Sequence, residues 1–269
     1  MKIVFHDIDG CLNADANTPI PIGNERLSQN QLAKLKELGR KLDVSSIDHL
    51  VINTGRAMDE TLSVVNGIAS KKLQYVIAEH GAVYRDVINN KCIYPLGHMA
   101  EKLELIVSFI SWYRETGAKI LNERVGTEVP ILGKAANLTL DARNGLDSQH
   151  IYDVLKTMVK SDAPFDYNQL IFHHSKPDGF VDVMGKIDKG NGIEVISSLI
   201  SKLENPAETI RSIAIGNGMN DMSMLEVATV PVCPGNSEHE VRNFCRSRSG
   251  VVSEFEYIDA TLHWLEEYT

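Results

Sequence analysis

Apolar residues in this chain fall in short runs that stop at polar, glycine-containing turns. The run over residues 3–8 ends in Asp7-Ile8-Asp9-Gly10 and predicts a buried strand closing on a polar turn. Residues 49–53 form a second run, ending in Thr54-Gly55-Arg56, and residues 75–78 a third, ending in Glu79-His80-Gly81-Ala82. Between the first two runs, Leu32, Leu35, Leu38 and Leu42 share a helical face, with Ser28 placed to cap it. Residues 58–69 read as a second helix. Strand alternating with helix is the pattern of a parallel sheet with helical crossovers.

The middle of the chain has a different rhythm. Residues 82–86 and 91–95 flank Ile88-Asn89-Asn90 and predict a hairpin. A helix is expected from about 100 to 116, a strand over 137–141 and a helix over 148–160. Two more strands, 169–173 and 179–184, are separated by the turn sequence Lys176-Pro177-Asp178. Hairpins mixed with helices indicate an antiparallel α+β unit. After Gly185 the first rhythm returns. A helix over 189–203 precedes a strand over 210–215 that ends in Gly216-Asn217-Gly218-Met219-Asn220-Asp221. Short elements follow at 222–228, 230–233, 238–246, 250–252 and 259–267. The expected architecture is a discontinuous α/β domain, residues 1–83 and 186–269, with an α+β domain of residues 84–185 inserted.

Composition narrows the function classes. The 269 residues are 43% apolar and 23% charged, ordinary values that exclude a disordered, collagen-like or disulfide-stapled chain. At about 150 residues per domain, one large domain or two smaller ones are expected. The net charge of −9 and the absence of any Lys/Arg run argue against a nucleic-acid partner. Four cysteines lie scattered without metal-ligand spacing and are expected to be reduced. The first apolar stretch is too short for a signal peptide, and no window approaches the roughly 18 apolar residues of a membrane span. The expected location is the cytoplasm, with no membrane partner.

The chemistry concentrates where the strands end. In open parallel sheets, ligands bind outside the carboxyl ends of the strands, so three polar clusters at three such ends would converge. Asp7 and Asp9, two residues apart, would face one reacting centre. One carboxylate could attack phosphorus, while the other protonates the leaving oxygen and later takes a proton from water. A hard cation such as Mg²⁺, held by carboxylate and carbonyl oxygens, would offset the repulsion between these acids and a phosphate dianion. Lys189 would add positive charge, the Thr54 hydroxyl and Gly55 N–H would bond phosphoryl oxygens, and Asp221 would supply a further metal-directed carboxylate.

Taken in order, these clusters resemble the haloacid dehalogenase (HAD) superfamily. Asp7-Ile8-Asp9-Gly10-Cys11 is similar to its first motif, Asp-x-Asp-Gly-Thr; Thr54 to its second; Lys189, in Lys-Gly-x-Gly-Ile, to its third. The segment from Gly216 to Asp221 is similar to its fourth, Gly-Asp-x-x-Asn-Asp. The insertion resembles the type C2 cap of the Cof-like, sugar-phosphatase branch, and residues 79–82 resemble that branch's Glu-Asn-Gly-Ala. The resemblance implies a HAD-like Rossmannoid sheet with an inserted cap, and a Mg²⁺-dependent phosphatase acting through an aspartyl-phosphate on a small phosphorylated metabolite such as a sugar phosphate. It implies Asp7 as nucleophile and Asp9 as general acid/base, with Thr54 and Lys189 also catalytic. Gly10, Gly55, Arg56 and Asn220 are expected to bind phosphate, and Asp7, Asp9, Asn217 and Asp221 to hold the metal, in a monomer or homodimer. Trehalose-, sucrose- and mannosylglycerate-phosphate phosphatases share this architecture. A sugar phosphomutase is the alternative enzyme. Two positions depart from the pattern: Cys11 replaces the Thr, and Asn217 replaces an Asp that usually ligates Mg²⁺ directly. The second departure also permits a phosphometabolite-binding protein without turnover.

Other assignments fail on spacing. Gly216-Asn217-Gly218 lacks the third glycine of a dinucleotide loop, because Asp221 stands there. There is no P-loop, and no cysteine is followed six residues later by arginine. Gly10 falls too early for an EF-hand. His173-His174 and Arg124 read as structural or surface groups, and Lys186 is the competitor to Lys189 as the site lysine.

Overall fold

The computed structural model describes residues 1–21, 26–95, 97–176, 179–204 and 207–268. In chain order the described elements are β1 (Lys2–His6), α1 (Gln29–Val44), β2 (His49–Asn53), α2 (Met58–Ile68), β3 (Leu73–Ala78), β4 (Val83–Asp86) and β5 (Lys91–Ile93). Next come α3 (His98–Trp112), α4 (Ala118–Val125), β6 (Ile131–Leu132), β7 (Asn137–Asp141), α5 (Ser148–Asp162), β8 (Leu170–Ser175) and β9 (Phe180–Gly185). The chain closes with α6 (Lys189–Leu203), β10 (Arg211–Ile215), α7 (Met222–Val227), β11 (Val230–Cys233), α8 (His239–Ser247), β12 (Val251–Val252) and α9 (Tyr257–Trp264). It divides into two compact units, Met1–Ile93 with Asp188–Thr269, and Tyr94–Ile187.

The first unit is an α/β layer structure. Its eight-stranded sheet has the order β12-β11-β10-β1-β2-β3-β4-β5, parallel from β12 to β3 and antiparallel from there on. Helices cover both faces, which explains why the strands read as unbroken apolar runs. Alternation along β1 sends Ile3 and Phe5 into a core with Ile193 and Ile196 of α6. Val4 joins the opposite core with Leu35 and Leu38 of α1. Ser28 caps α1 as expected, its hydroxyl accepting from the Gln31 N–H.

The domain boundary differs from the expected 83/84. The hairpin of β4 and β5 extends the main sheet, because β4 pairs with β3 from Tyr75↔Asp86 to Ala78↔Val83. The division therefore falls at Ile93/Tyr94, and again at Ile187/Asp188. The β4–β5 hairpin is legible in the sequence, and its attachment to the main sheet comes from β4 also pairing back onto β3 across residues 79–82.

The second unit is a four-stranded antiparallel sheet, β6-β7-β9-β8, packed by α3 and α5. The helix expected to end near 116 instead runs through a π-helical turn, Tyr113–Gly117, into α4. The turn at Lys176-Pro177-Asp178 lies partly outside the described residues. Among the described residues, no helix is long and apolar enough to cross a membrane.

Candidate active site

Strands β10, β1 and β2 lie side by side and parallel, so their polar ends meet at one edge of the sheet. β1 stops at His6, and the Asp7 N–H still pairs with the Ile215 carbonyl at 3.0 Å. That hydrogen bond fixes Asp7 at the end of the parallel register. Asp7 is buried, and its Oδ1 lies 2.7 Å from Lys189 Nζ. The same ammonium lies 2.5 Å from Asp221 Oδ1. Both Lys189 and Asp221 are 0% exposed.

Lys189 reaches this point because it opens α6. Asp188 caps that helix, accepting from the Asn191 N–H at 3.0 Å. The Asn53 amide ties the Lys189 carbonyl to the end of β2 at 2.9 Å. The competing Lys186 is exposed and belongs to the second unit. Two buried carboxylates and one ammonium leave the cluster acidic. Burial first, and then Asp221, push the Asp7 carboxyl up to about 7, against the lowering effect of Lys189. Burial alone would pull Lys189 down; Asp221 and Asp7 outweigh it and hold the ammonium charged.

Asp9 has a different environment. The strand has ended at His6, so the two-residue strand alternation expected for Asp7 and Asp9 does not set where they point. A tight turn follows, with Cys11 and Leu12 N–H bonding the Ile8 carbonyl at 3.1 and 2.8 Å. The Asp9 side chain is half exposed and gripped by Arg56, Nε to Oδ2 at 2.8 Å and an Nη2 contact to Oδ1 at 2.6 Å. Arg56 also donates to the Ile20 and Pro21 carbonyls at 2.7 and 2.6 Å. The guanidinium of Arg56, expected at the phosphate, is a clamp between Asp9 and the 20–21 segment. Burial pulls Arg56 down, and the pairing with Asp9 more than offsets it.

The loop after β10 closes over the first turn. Gly10 has φ +75°, and a side chain there would collide with Asn217. The Cys11 thiol donates to Asn217 Oδ1 at 3.3 Å. The two residues that depart from the family pattern thus touch each other. Burial and the neighbouring Asp7 hold Cys11 protonated, as a donor requires.

Both carboxylate oxygens of Asp221, expected at the metal, are engaged within the protein. Its Oδ2 accepts the Asn217 and Gly218 N–H groups at 2.8 and 3.0 Å, and its Oδ1 accepts Lys189. The carboxylate organises the loop rather than facing outward. Asn220 is exposed, its Oδ1 close to Gly218.

At the end of β2, Thr54 is buried. Its N–H bonds the Ile77 carbonyl at 2.9 Å, and its hydroxyl accepts the Arg56 N–H at 3.3 Å. Gly55 has no room for a side chain, because the His80 ring occupies that space. Glu79 and His80 both take positive φ, 52° and 57°. Their N–H groups bond the Arg56 and Thr54 carbonyls at 2.9 and 3.0 Å. Strain of this kind concentrates at functional sites.

The sequence reading missed Asn236. Its amide holds the Gly10 carbonyl at 2.9 Å while its Oδ1 accepts the Tyr257 N–H at 2.8 Å. The available signal was position: Asn236 follows β11, at the same sheet edge as the other clusters.

The donor types at the end of β1 and in the loop after β10 suit a hard cation. The Asp7 carboxylate, the Asp9 backbone carbonyl and the Asn217 amide oxygen are all-oxygen donors of the kind Mg²⁺ takes. Among the described residues, no three Asp, Glu, His or Cys side chains group as a ligand set. A cation here would therefore depend on backbone and amide oxygens as well as on Asp7.

Comparison with known proteins gives the same picture. Residues 136–254 match the family model for haloacid dehalogenase-like hydrolases. A phosphoglycolate phosphatase of Sulfurisphaera tokodaii is 22% identical over 190 residues, covering 68% of this chain and 74% of that protein. A sucrose-phosphatase from Synechocystis, solved with sucrose and phosphate, superposes with TM-score 0.61 at 16% identity, covering 99% and 97% of the two chains. A haloacid dehalogenase-like hydrolase from Bacteroides thetaiotaomicron gives TM-score 0.61 at 16% identity, over 100% and 99%. At such identities the structural likeness establishes the fold.

Proposed function

We propose that this chain, whose residues 136–254 match the family model for haloacid dehalogenase-like hydrolases, is a Mg²⁺-dependent phosphatase of small phosphate monoesters, with sugar phosphates as the substrate class. The carrying observation is the buried Asp7–Lys189–Asp221 cluster, with the half-exposed Asp9 two residues from Asp7.

Asp7 is the nucleophile. Its carboxylate oxygen forms a bond to phosphorus as the bond to the leaving oxygen breaks, and Asp9 gives that oxygen its proton. In the second half, Asp9 takes a proton from water, whose oxygen bonds to phosphorus and releases the Asp7 carboxylate. The different surroundings of the two acids suit these roles. The Arg56 clamp fixes the position of the Asp9 carboxyl. Lys189 holds Asp7 in place and balances charge. Asp7, the Asp9 carbonyl and Asn217 would hold Mg²⁺, with Asp221 fixing the loop that carries Asn217. When bound, the cation supplies Lewis-acid stabilisation of the phosphoryl oxygens and lowers the cost of ionising Asp7. The inserted unit serves as the cap that selects the leaving group, an assignment that rests on the resemblance to C2 caps.

The test is phosphate release from a panel of sugar phosphates and other small esters, with and without Mg²⁺, beside Asp7→Ala. Mg²⁺-dependent release that drops by roughly 10⁴-fold or more in the variant supports the reading. Release that is indifferent to Asp7 overturns it. Asn217 favours a second reading, ligand binding without turnover. Under it, no ester is hydrolysed while phosphorylated ligands still bind, and Asn217→Asp restores hydrolysis.

A further inference from the structure

The backbone that carries Asp7 is held by a side chain from within the first unit. β1 ends at His6, and the Asp7 carbonyl lies 2.5 Å from Nδ1 of the His6 ring. The other ring nitrogen, Nε2, lies 2.8 Å from the Thr261 hydroxyl of α9. Both side chains are buried. His6 follows Val4 by two residues and so shares its face, and Val4 packs in a core with Ile258 and Leu262 of α9. An apolar residue would fill such a position without two ring nitrogens to satisfy.

A carbonyl oxygen only accepts, so the contact requires the hydrogen on Nδ1. Burial keeps the ring neutral. Nε2 then offers only a lone pair, and the Thr261 hydroxyl donates to it. The hydrogen bonds therefore run one way, from Thr261 to Nε2 and from Nδ1–H to the Asp7 carbonyl. The Asp7 N–H is held separately, by the Ile215 carbonyl at 3.0 Å. Both backbone polar groups of Asp7 are thus tied, one to β10 and the other, through His6, to α9. The same helix reaches the following turn twice more. The Ile258 N–H donates to the Asn13 carbonyl at 3.2 Å, and Asn236 bridges the Tyr257 N–H and the Gly10 carbonyl.

We propose that His6 is a positioning residue for Asp7 and that Thr261 locks it. The hydroxyl selects the ring form whose Nδ1–H holds the Asp7 carbonyl, and the held backbone aims the Asp7 carboxylate. The part this plays in turnover rests on Asp7 as the nucleophile. A reacting group misplaced by about 1 Å loses on the order of 10²-fold in rate. Substrate affinity is set by groups that touch the ester, so the loss falls on kcat rather than on KM.

Kinetics of phosphate release, on whichever ester of the panel reacts fastest, test the role. His6→Phe keeps a ring and loses the donor; kcat should fall about tenfold or more while KM changes less than about threefold. His6→Asn returns an N–H donor near the place of Nδ1 and should keep kcat within about threefold of wild type. Thr261→Val should lower kcat about threefold or more, and Thr261→Ser should not. Two further readings do not need turnover. ¹⁵N NMR of the imidazole groups, with His6 assigned by its loss in His6→Asn, should find the hydrogen on Nδ1. Hydrogen exchange at the Cys11 and Leu12 amides, which close the turn onto Ile8, should quicken about tenfold or more in His6→Phe and stay slow in His6→Asn, with the β3 amides unchanged. A hydrogen on Nε2 of His6, wild-type kcat in folded His6→Phe, or equal losses in His6→Phe and His6→Asn would overturn the proposal. Should His6→Phe fail to fold, Thr261→Val beside Thr261→Ser decides it by the same readings. If the wild type hydrolyses no ester, the phosphatase reading falls, and the ring hydrogen with the exchange rates still decides whether His6 holds the Asp7 backbone. Turnover that is lost in Asp7→Ala and untouched in the His6 and Thr261 variants gives the reverse.

Discussion

Both units place a lysine against buried aspartate, and they do so at different distances. Lys189 touches Asp7 and Asp221 at 2.7 and 2.5 Å, with all three side chains nearly inaccessible to solvent. Lys134 stands 3.7 Å from Asp182, with His173 at 3.7 Å on the other side. In the first unit, charges removed from water are compensated by direct contact, which is the condition for keeping them buried at all. In the second, the charged groups stand farther apart. The first arrangement suits a reaction whose geometry must be set in advance.

The largest expected break of that contrast is Lys189→Met. It strands two buried carboxylates and should destabilise the protein by about 3–5 kcal/mol, measured by urea unfolding. Lys134→Met, which breaks a longer contact, should cost less than Lys189→Met by the same measurement. Equal losses would mean that the two clusters have the same structural job. Next in size is Asn217→Asp, which adds a charge to the proposed metal site. It should tighten Mg²⁺ binding roughly tenfold, about 1.4 kcal/mol, by calorimetry. Unchanged affinity would remove Asn217 from the ligand set.

Smaller effects follow from titration in the metal-free protein. The Asp7 carboxyl is raised from 3.8 to about 7, so the folded state keeps a proton that the unfolded state has lost. The Asp7 contribution to stability therefore falls as pH rises from about 4 to about 7, and Asp7→Asn should abolish that slope in thermal melts. His6 has the opposite sign. Burial lowers its pKa from 6.5 to about 4, so the unfolded state takes up the proton first. Its contribution is lost as pH falls from about 6.5 to about 4, and His6→Gln should flatten that limb. Slopes that persist in both variants would assign the pH dependence to other groups.

Much of the candidate site was legible in the sequence. The Asp7, Thr54 and Gly216 clusters each end an apolar run, and parallel neighbours bring such ends together. Lys189 was distinguished from Lys186 by the helix it opens. The partners of each side chain were less legible. The donors of Arg56 go to Asp9 and to carbonyls at Ile20 and Pro21, a choice that depends on how the loop after β1 folds back. The carboxylate of Asp221 is taken up by N–H groups three and four residues earlier, which a motif reading treats as spacing only. The hairpin over 83–93 was read correctly as a hairpin, yet it extends the main sheet. The polar face of β7 and β9 was hidden, because five consecutive buried residues in β7 mix Asn, Thr and Asp with Leu and only the register shows which of them gather.

By itself the sequence determined the alternation of elements, the two-part organisation and the residue types available at each strand end. These follow from local periodicity and turn chemistry, which act over a few residues. The tertiary structure decided which carboxylate is buried and which is clamped, and which charges touch or stop short. Those outcomes depend on contacts between residues far apart in the chain, where tenths of an ångström and the loss of water set the energies.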